Sequence, residues 1–384
     1  MSTLTESVEL VVSVEPEIAR LMDEHRDRRQ HWYAHDVVPW EMGRSFRDEP
    51  WNESQATLSP EVRTALQLNL LTEDNLPYYH AKIAGSFDED SPMAEWSRLW
   101  TAEEGQHSIA IRNYLLATRN CDPALLEDER VATVSKGWRY DSPCPVEVFA
   151  YTSAQELATR ISHRNAGVKA DCEIAHEVMT RVAADENHHF MFYRGVTTAM
   201  LQQAPALVLE AIHRVLADFR MPGTGIPNFN RRAVSIARSG IYNLRIHAEQ
   251  VVQPLLRYWR IDALEGLDAR ATEIQEKILA IPKALIAQAE DFEARLVTLA
   301  GKKLDKYDIE NATQAEMAVQ AITSRALKRR WRTPRVWRRA SPTSRTRSSR
   351  RSPCTAARAR PSSRTRPTPS SPRWRRSLRG AWTS

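Results

Sequence analysis

Four places in this chain set a glutamate three residues before a histidine: Glu104/His107, Glu173/His176, Glu186/His189 and Glu210/His213. On an α-helix three residues advance about 300° around the axis, so the two side chains stand roughly 60° apart on one face and can close on one metal ion. The pair alone is a weak signal, and helical geometry prunes the set. Residues 173 and 186 are separated by about 220° around a continuous helix, so those pairs face nearly opposite ways. Val182, Ala183 and Phe190 surround Glu186 and mark a core face, whereas Asp171 and Glu177 beside Glu173/His176 mark a solvated one. Glu210/His213 lies where other charges are sparse, and this criterion does not exclude it.

What selects Glu104/His107 and Glu186/His189 is an upstream glutamate in each half of the chain. Glu73 precedes Glu104 by 31 residues and Glu156 precedes Glu186 by 30. That leaves room for about twelve residues down one helix, a short connection and about twelve back up the next. Four helices then converge on one level with four carboxylates and two imidazoles, the arrangement of ferritin-like di-iron and di-manganese bundles. Two divalent ions would offset four ionised acids that are otherwise very costly to bury. The expected ligands are therefore Glu73, Glu104, His107, Glu156, Glu186 and His189.

Such a site needs helices, and the surrounding sequence supplies them. Ser59-Pro60 reads as an N-cap followed by proline at the first helical position, with Val62, Leu66 and Leu70 at four-residue spacing behind it. Ser91-Pro92 repeats the signal before Trp96, Leu99, Trp100 and Ala110. A third helix is predicted from near Pro145 through Ile161 and a fourth over roughly Asp171 to Met200. Others are predicted over Pro205 to Phe219, Asn230 to Tyr258, and Leu267 past Ile286. With no run of alternating strands, the fold class is all-α, a ferritin-like four-helix bundle core with additional helices. Pro77 cannot donate to the Glu73 carbonyl, so a distortion of the helix is expected there. Gly105 falls in mid-helix, at a cost of about 1 kcal/mol relative to alanine.

Charge divides the chain. Its 384 residues carry a formal net charge of +6, yet 20 of the 54 Lys and Arg fall between Arg325 and Ser384, where there is no Asp or Glu. The body before that point holds 34 basic against 48 acidic residues, about −14. Three regions are expected: an N-terminal segment, 1–57, packing on the bundle; the helical metal-binding domain, 58–324; and a basic Arg/Ser/Pro-rich tail, 325–384, disordered beyond about Arg332. Trp331, Trp337 and Trp374 among the arginines could stack on nucleic acid, but no recognition motif accompanies them, and nucleic acid is not an expected partner. An out-of-frame extension is the other reading of the tail. No apolar run is long enough for a membrane span and no basic cluster opens the chain, so a cytoplasmic location is expected. Cys121, Cys144, Cys172 and Cys354 show neither metal-site nor disulfide spacing.

Four segments carry a more specific signal: LLTEDNLPYYH around Glu73, RLWTAEEGQHS around Glu104/His107, AQELATRISHRNAG around Glu156 and AADENHHFMFY around Glu186/His189. Together they resemble the soluble acyl-acyl-carrier-protein desaturases of plants and actinobacteria, and weaker similarity continues through IYNLRIHAEQVVQPLLRYWRI. The likeness covers most of residues 15 to 295 and leaves the tail without a counterpart. EEGQH departs from the family wording at Gly105. The resemblance implies two iron ions, bridged by Glu104 and Glu186, with Glu73 and Glu156 each chelating one and His107 and His189 completing the set. It also implies that Thr159 stands on the oxygen side of the centre, and that Trp32 and Asp185 pass electrons inward with His107. The implied reaction places a cis double bond in a carrier-bound acyl chain, using O2 and two electrons from ferredoxin, in a homodimer. Both implied partners, acyl carrier protein and ferredoxin, are acidic, so an acidic body needs a local basic patch; Arg231, Arg232, Arg238 and Arg245 are candidates. A ligand set does not by itself fix the outcome of a reaction, so a di-iron oxygenase or hydroxylase on another substrate and an iron-handling ferritin-like protein stand as alternatives.

Overall fold

The computed structural model describes residues 2–299 apart from 140, 141, 143 and 224, and there the regular structure is helical throughout. In chain order the helices are α1 (Ser2–Ser13), α2 (Glu15–Arg28), α3 (Ala34–Val37), α4 (Pro60–Glu73), α5 (Leu76–Ala84), α6 (Pro92–Ala117), α7 (Pro123–Lys136), α8 (Pro145–Lys169), α9 (Glu173–Gln203), α10 (Pro205–Ala217), α11 (Phe229–Ser239), α12 (Leu244–Ile246), α13 (Gln253–Tyr258) and α14 (Ala269–Leu299). A π-helical turn, His247–Val252, joins α12 to α13. The start signals act as read: Ser59 accepts the amide N–H of Val62 and Ser91 that of Ala94, each with proline next in the chain.

Four of these helices close a ring in which α4 packs on α6, α6 on α9, α9 on α8 and α8 on α4. The ring is filled by Leu66, Leu70, Trp96, Ile111, Phe149, Leu157, Val182, Phe192 and Tyr193, all essentially withdrawn from solvent. Each such side chain contributes about 1.5–3 kcal/mol relative to exposure. Contact is closest between α8 and α9, where a Cβ added at Gly167 would stand 2.9 Å from Met179 Cβ. Outside the ring, α2 lies across α6 and α9, while α10 packs on α8 and α14 on α10.

Two expectations are corrected. The helix expected over Asn230 to Tyr258 is broken. Gly240, at φ 76°, closes α11 in the left-handed region that lacks a steric penalty only for glycine, and Asn243 then accepts the amide of Ile246 to open α12. At Pro77 the chain is not a bent helix: α4 ends at Glu73, and Pro77 sits in the first turn of α5, where no N–H is needed.

Among the described residues no helix is long and apolar enough to cross a membrane, and Cys121, Cys144 and Cys172 are free thiols. The expectations for the basic tail, with Trp331, Trp337, Trp374 and Cys354, lie outside the described residues.

Candidate metal centre

Each of the four ring helices brings its glutamate to the same level: Glu73 from the last turn of α4, Glu104 and His107 from α6, Glu156 from α8, Glu186 and His189 from α9. All six side chains are buried, none more than 7% exposed. Ligand atoms of Glu73, Glu104, His107 and Glu186 lie within 4.8 Å of one another, and so do those of Glu104, Glu156, Glu186 and His189. The two groups overlap in Glu104 and Glu186, so the geometry offers two adjacent cation positions with two carboxylates in common.

Hydrogen bonding tests whether cations fit. His189 Nε2 meets Glu103 Oε2 at 2.9 Å, which places the ring proton there and leaves the Nδ1 lone pair facing Glu104 Oε1 at 2.9 Å. Two acceptors at that distance do not bond, and both atoms lack a hydrogen-bond partner. The same holds for His107 Nδ1, both oxygens of Glu156 and Glu186 Oε2. Buried polar atoms without partners are rare because each forfeits its hydration. A pair of divalent cations would satisfy all of them, and an oxygen-rich set with two imidazoles suits iron or manganese.

Titration follows the same crowding. Burial pushes the Glu156 carboxyl well above the usual range, and repulsion from Glu186 and Glu104 adds to it. Burial also raises Glu104, again with help from Glu186. For Glu186 burial works upward too, but the imidazoles of His163, His189 and His107 around it prevail and hold it well below the ordinary value. Burial disfavours charge on both ligand-position imidazoles, yet the carboxylates around His107 and His189 raise each well above its ordinary value. Without cations these rings would take up protons to offset the carboxylates, and cations at the two positions would replace those protons.

The residues expected to act with this set fall nearby. Trp32, buried, donates Nε1–H to Asp185 Oδ2 across 2.9 Å and lies parallel to the His107 ring at 6.4 Å, and Asp185 Oδ2 is 3.5 Å from His107 Nε2. Trp32, Asp185 and His107 thus form one contiguous chain. Thr159 is buried one turn after Glu156, its hydroxyl donating to the carbonyls of Gln155 and Glu156. The set-aside pairs lie elsewhere: Glu173 and His176 are exposed, and Glu210 pairs with Arg214 and Arg270. Of the four candidate docking arginines, Arg232 is tied to Glu129 and Arg245 to Glu293, while Arg231 and Arg238 are exposed.

Several neighbours of the centre were not anticipated. His163 Nε2 stands 3.2 Å from Glu186 Oε1 and 3.4 Å from Glu73 Oε1. It follows Glu156 by two helical turns on the same face, a spacing that could have revealed it. Glu103 and His25 flank His189 from outside and Arg29 pairs with Glu103, and no local spacing pointed to them.

Beside the centre lies a narrow apolar cavity of about 30 Å³, walled by Tyr79, Ile83, Trp100, Val148, Tyr151 and Thr152. Trp100 links the two, its ring 6.4 Å from that of His189.

Comparison with known proteins agrees with this architecture. A family described as fatty acid desaturase matches residues 6–309. DesA1 of Mycobacterium tuberculosis, named as an acyl-[acyl-carrier-protein] desaturase, is 36% identical over 304 residues, covering 76% of this chain and 90% of that protein. The chloroplastic stearoyl-[acyl-carrier-protein] 9-desaturase of Gossypium hirsutum is 25% identical over 275 residues, covering 66% of this chain and 69% of that one. The X-ray structure of DesA2 from Mycobacterium tuberculosis, named as an acyl-ACP desaturase, matches with a TM-score of 0.57 at 26% identity, covering 69% of this chain and 99% of that one.

Proposed function

The chain belongs to the fatty acid desaturase family, and from that premise we propose that it is an acyl-[acyl-carrier-protein] desaturase, introducing a cis double bond into a carrier-bound acyl chain with O2 and two electrons from a reduced ferredoxin. The observation that carries the reading is the overlap of two buried carboxylate and imidazole clusters in Glu104 and Glu186, on the inner face of the bundle.

In this reading Glu73, Glu104, His107 and Glu186 would hold one iron ion, and Glu104, Glu156, Glu186 and His189 would hold a second. Iron, when bound, supplies the oxygen-dependent redox chemistry that no side chain here possesses. The chain's own residues do the rest. The ring of buried apolar side chains excludes water, and Trp32 and Asp185 offer electrons a contiguous path to His107. Thr159 borders the centre on α8. The cavity walled by Tyr79, Trp100, Val148 and Tyr151 receives the acyl chain; at about 30 Å³ it admits one only when those side chains swing outward. Of the four arginines proposed for docking, Arg231 and Arg238 are exposed and would face an acidic carrier protein. A homodimer in the cytoplasm belongs to the same reading and is supported by the resemblance of the four ligand segments.

The test uses iron-loaded protein, reduced ferredoxin, O2 and a panel of acyl carrier thioesters, with double bonds located by mass spectrometry. An unsaturated product is expected. Hydroxylated product in its place would make the protein an oxygenase, and iron oxidation with no change in any thioester would make it an iron-handling protein.

A further inference from the structure

We propose that Arg29 is a positioning residue for both halves of the metal centre at once, clamping the two outer carboxylates that orient its two imidazoles. The inference rests on the di-iron reading above and concerns a residue outside the ligand set.

Each imidazole has an outer carboxylate. Glu103 Oε2 meets His189 Nε2 at 2.9 Å, and Asp185 Oδ2 stands 3.5 Å from His107 Nε2. Such partners fix which ring nitrogen keeps its proton and which way the other points, and so decide whether Nδ1 faces the cation position. Arg29 reaches both. Its Nε lies 3.2 Å from Glu103 Oε2 and its Nη2 donates to Asp185 Oδ2 at 3.0 Å, the same two oxygens that face the imidazoles. From either ring to the guanidinium there is one intervening oxygen.

The geometry is built rather than incidental. The Arg29 side chain is 6% exposed, and Glu103 and Asp185 are buried at 4% and 3%. Arg29 follows the end of α2, where its backbone turns extended, and this drives the side chain in between α6 and α9. His25, one turn earlier, meets both oxygens of Glu103 through Nε2 at 2.9 and 3.1 Å, and Trp32 shares Asp185 Oδ2 from the other side. His31 Nδ1 accepts from Arg29 Nη1 at 2.9 Å. A planar guanidinium, its nitrogens held in one plane, is the side chain able to reach two carboxylates at once. It also brings positive charge to a layer in which Glu103 and Asp185 add two carboxylates to the four of the clusters.

Cobalt titration of the metal-stripped full-length protein, read by visible absorbance and calorimetry, tests this without turnover. Wild type is expected to take up two equivalents. Arg29→Met should weaken both by about 10–100-fold, the usual effect of losing an outer partner. Glu103→Gln and Asp185→Asn should each weaken one equivalent and spare the other. Arg29→Lys keeps the charge but cannot span both carboxylates, so it should weaken one step; it carries the test if circular dichroism shows Arg29→Met unfolded. Two equivalents bound at wild-type affinity by the Arg29 variants would overturn the inference alone. No cobalt uptake by wild type would overturn the metal-centre reading and this inference with it.

Discussion

The side-chain amide of Asn69 meets His163 Nδ1 at 3.1 Å, and this contact turns the other ring nitrogen, Nε2, toward Glu186 and Glu73. His163 therefore holds carboxylates from α9 and α4 at one height. Burial would push its ring down, yet the carboxylates of Glu186 and Glu73 beside it raise it to about 9. His163→Phe keeps a ring in the space and removes that charge. The metal-free variant should melt below wild type, because two buried carboxylates lose their partner, and ferrous ion binding measured anaerobically by calorimetry should weaken about tenfold or more. Unchanged melting and binding would mean that helix packing alone orients Glu73 and Glu186.

Acid stability should depend on His247, far along the chain from any proposed ligand. The ring is buried, stacks on Phe219 and takes the Tyr242 hydroxyl at Nδ1 across 2.8 Å. Burial pushes it down to about 3 from an ordinary value of 6.5. The folded state thus binds fewer protons than the unfolded one between those values. Its contribution to stability is full above pH about 6.5 and is lost progressively as pH falls toward 3, at up to about 1.4 kcal/mol per pH unit. His247→Gln should flatten that part of the curve relative to wild type in urea unfolding from pH 7 to 4. Parallel curves would count against it.

Gly105 lies in the middle of α6, and a Cβ added there meets nothing within 4 Å. Gly105→Ala should therefore stabilise the protein by about 0.5–1 kcal/mol through lost freedom in the unfolded chain. Scanning calorimetry should show the midpoint rising by roughly 2 °C, with metal uptake unchanged. A lower midpoint would show that the helix needs the glycine for a motion.

Val148 lines the apolar cavity and is 4% exposed. Val148→Phe should fill it and shift the preference of the enzyme toward shorter acyl chains, by about tenfold or more in relative kcat/KM, with iron content preserved. The same chain-length profile as wild type would place the acyl chain elsewhere.

The convergence of these six residues was legible because equal spacing in two halves is a local property: two helices of similar length return the chain to the same depth. His163 was open to the same reasoning through its two-turn distance from Glu156. Glu103 with His25, and Arg29 with Asp185, were not, since these partners stand 78 and 156 residues apart and only the docking of α2 across α6 and α9 unites them. The stop at Gly240 was misread because apolar residues on both sides keep helical spacing, so the pattern runs through a break that one left-handed residue imposes. Pro77 was read as a kink although its neighbours Asp74 and Asn75 can end a helix and let the proline begin the next.

The shared carboxylates have a consequence for biogenesis. Glu73, Glu104 and His107 need Glu186 to close their cluster, and Glu156, Glu186 and His189 need Glu104. On the di-iron reading, a nascent chain would offer the first position only three of its four donors until α9 has been synthesised and has closed on α6. A chain cleaved between the repeats would release two fragments, neither with a complete set of donors with which to scavenge metal.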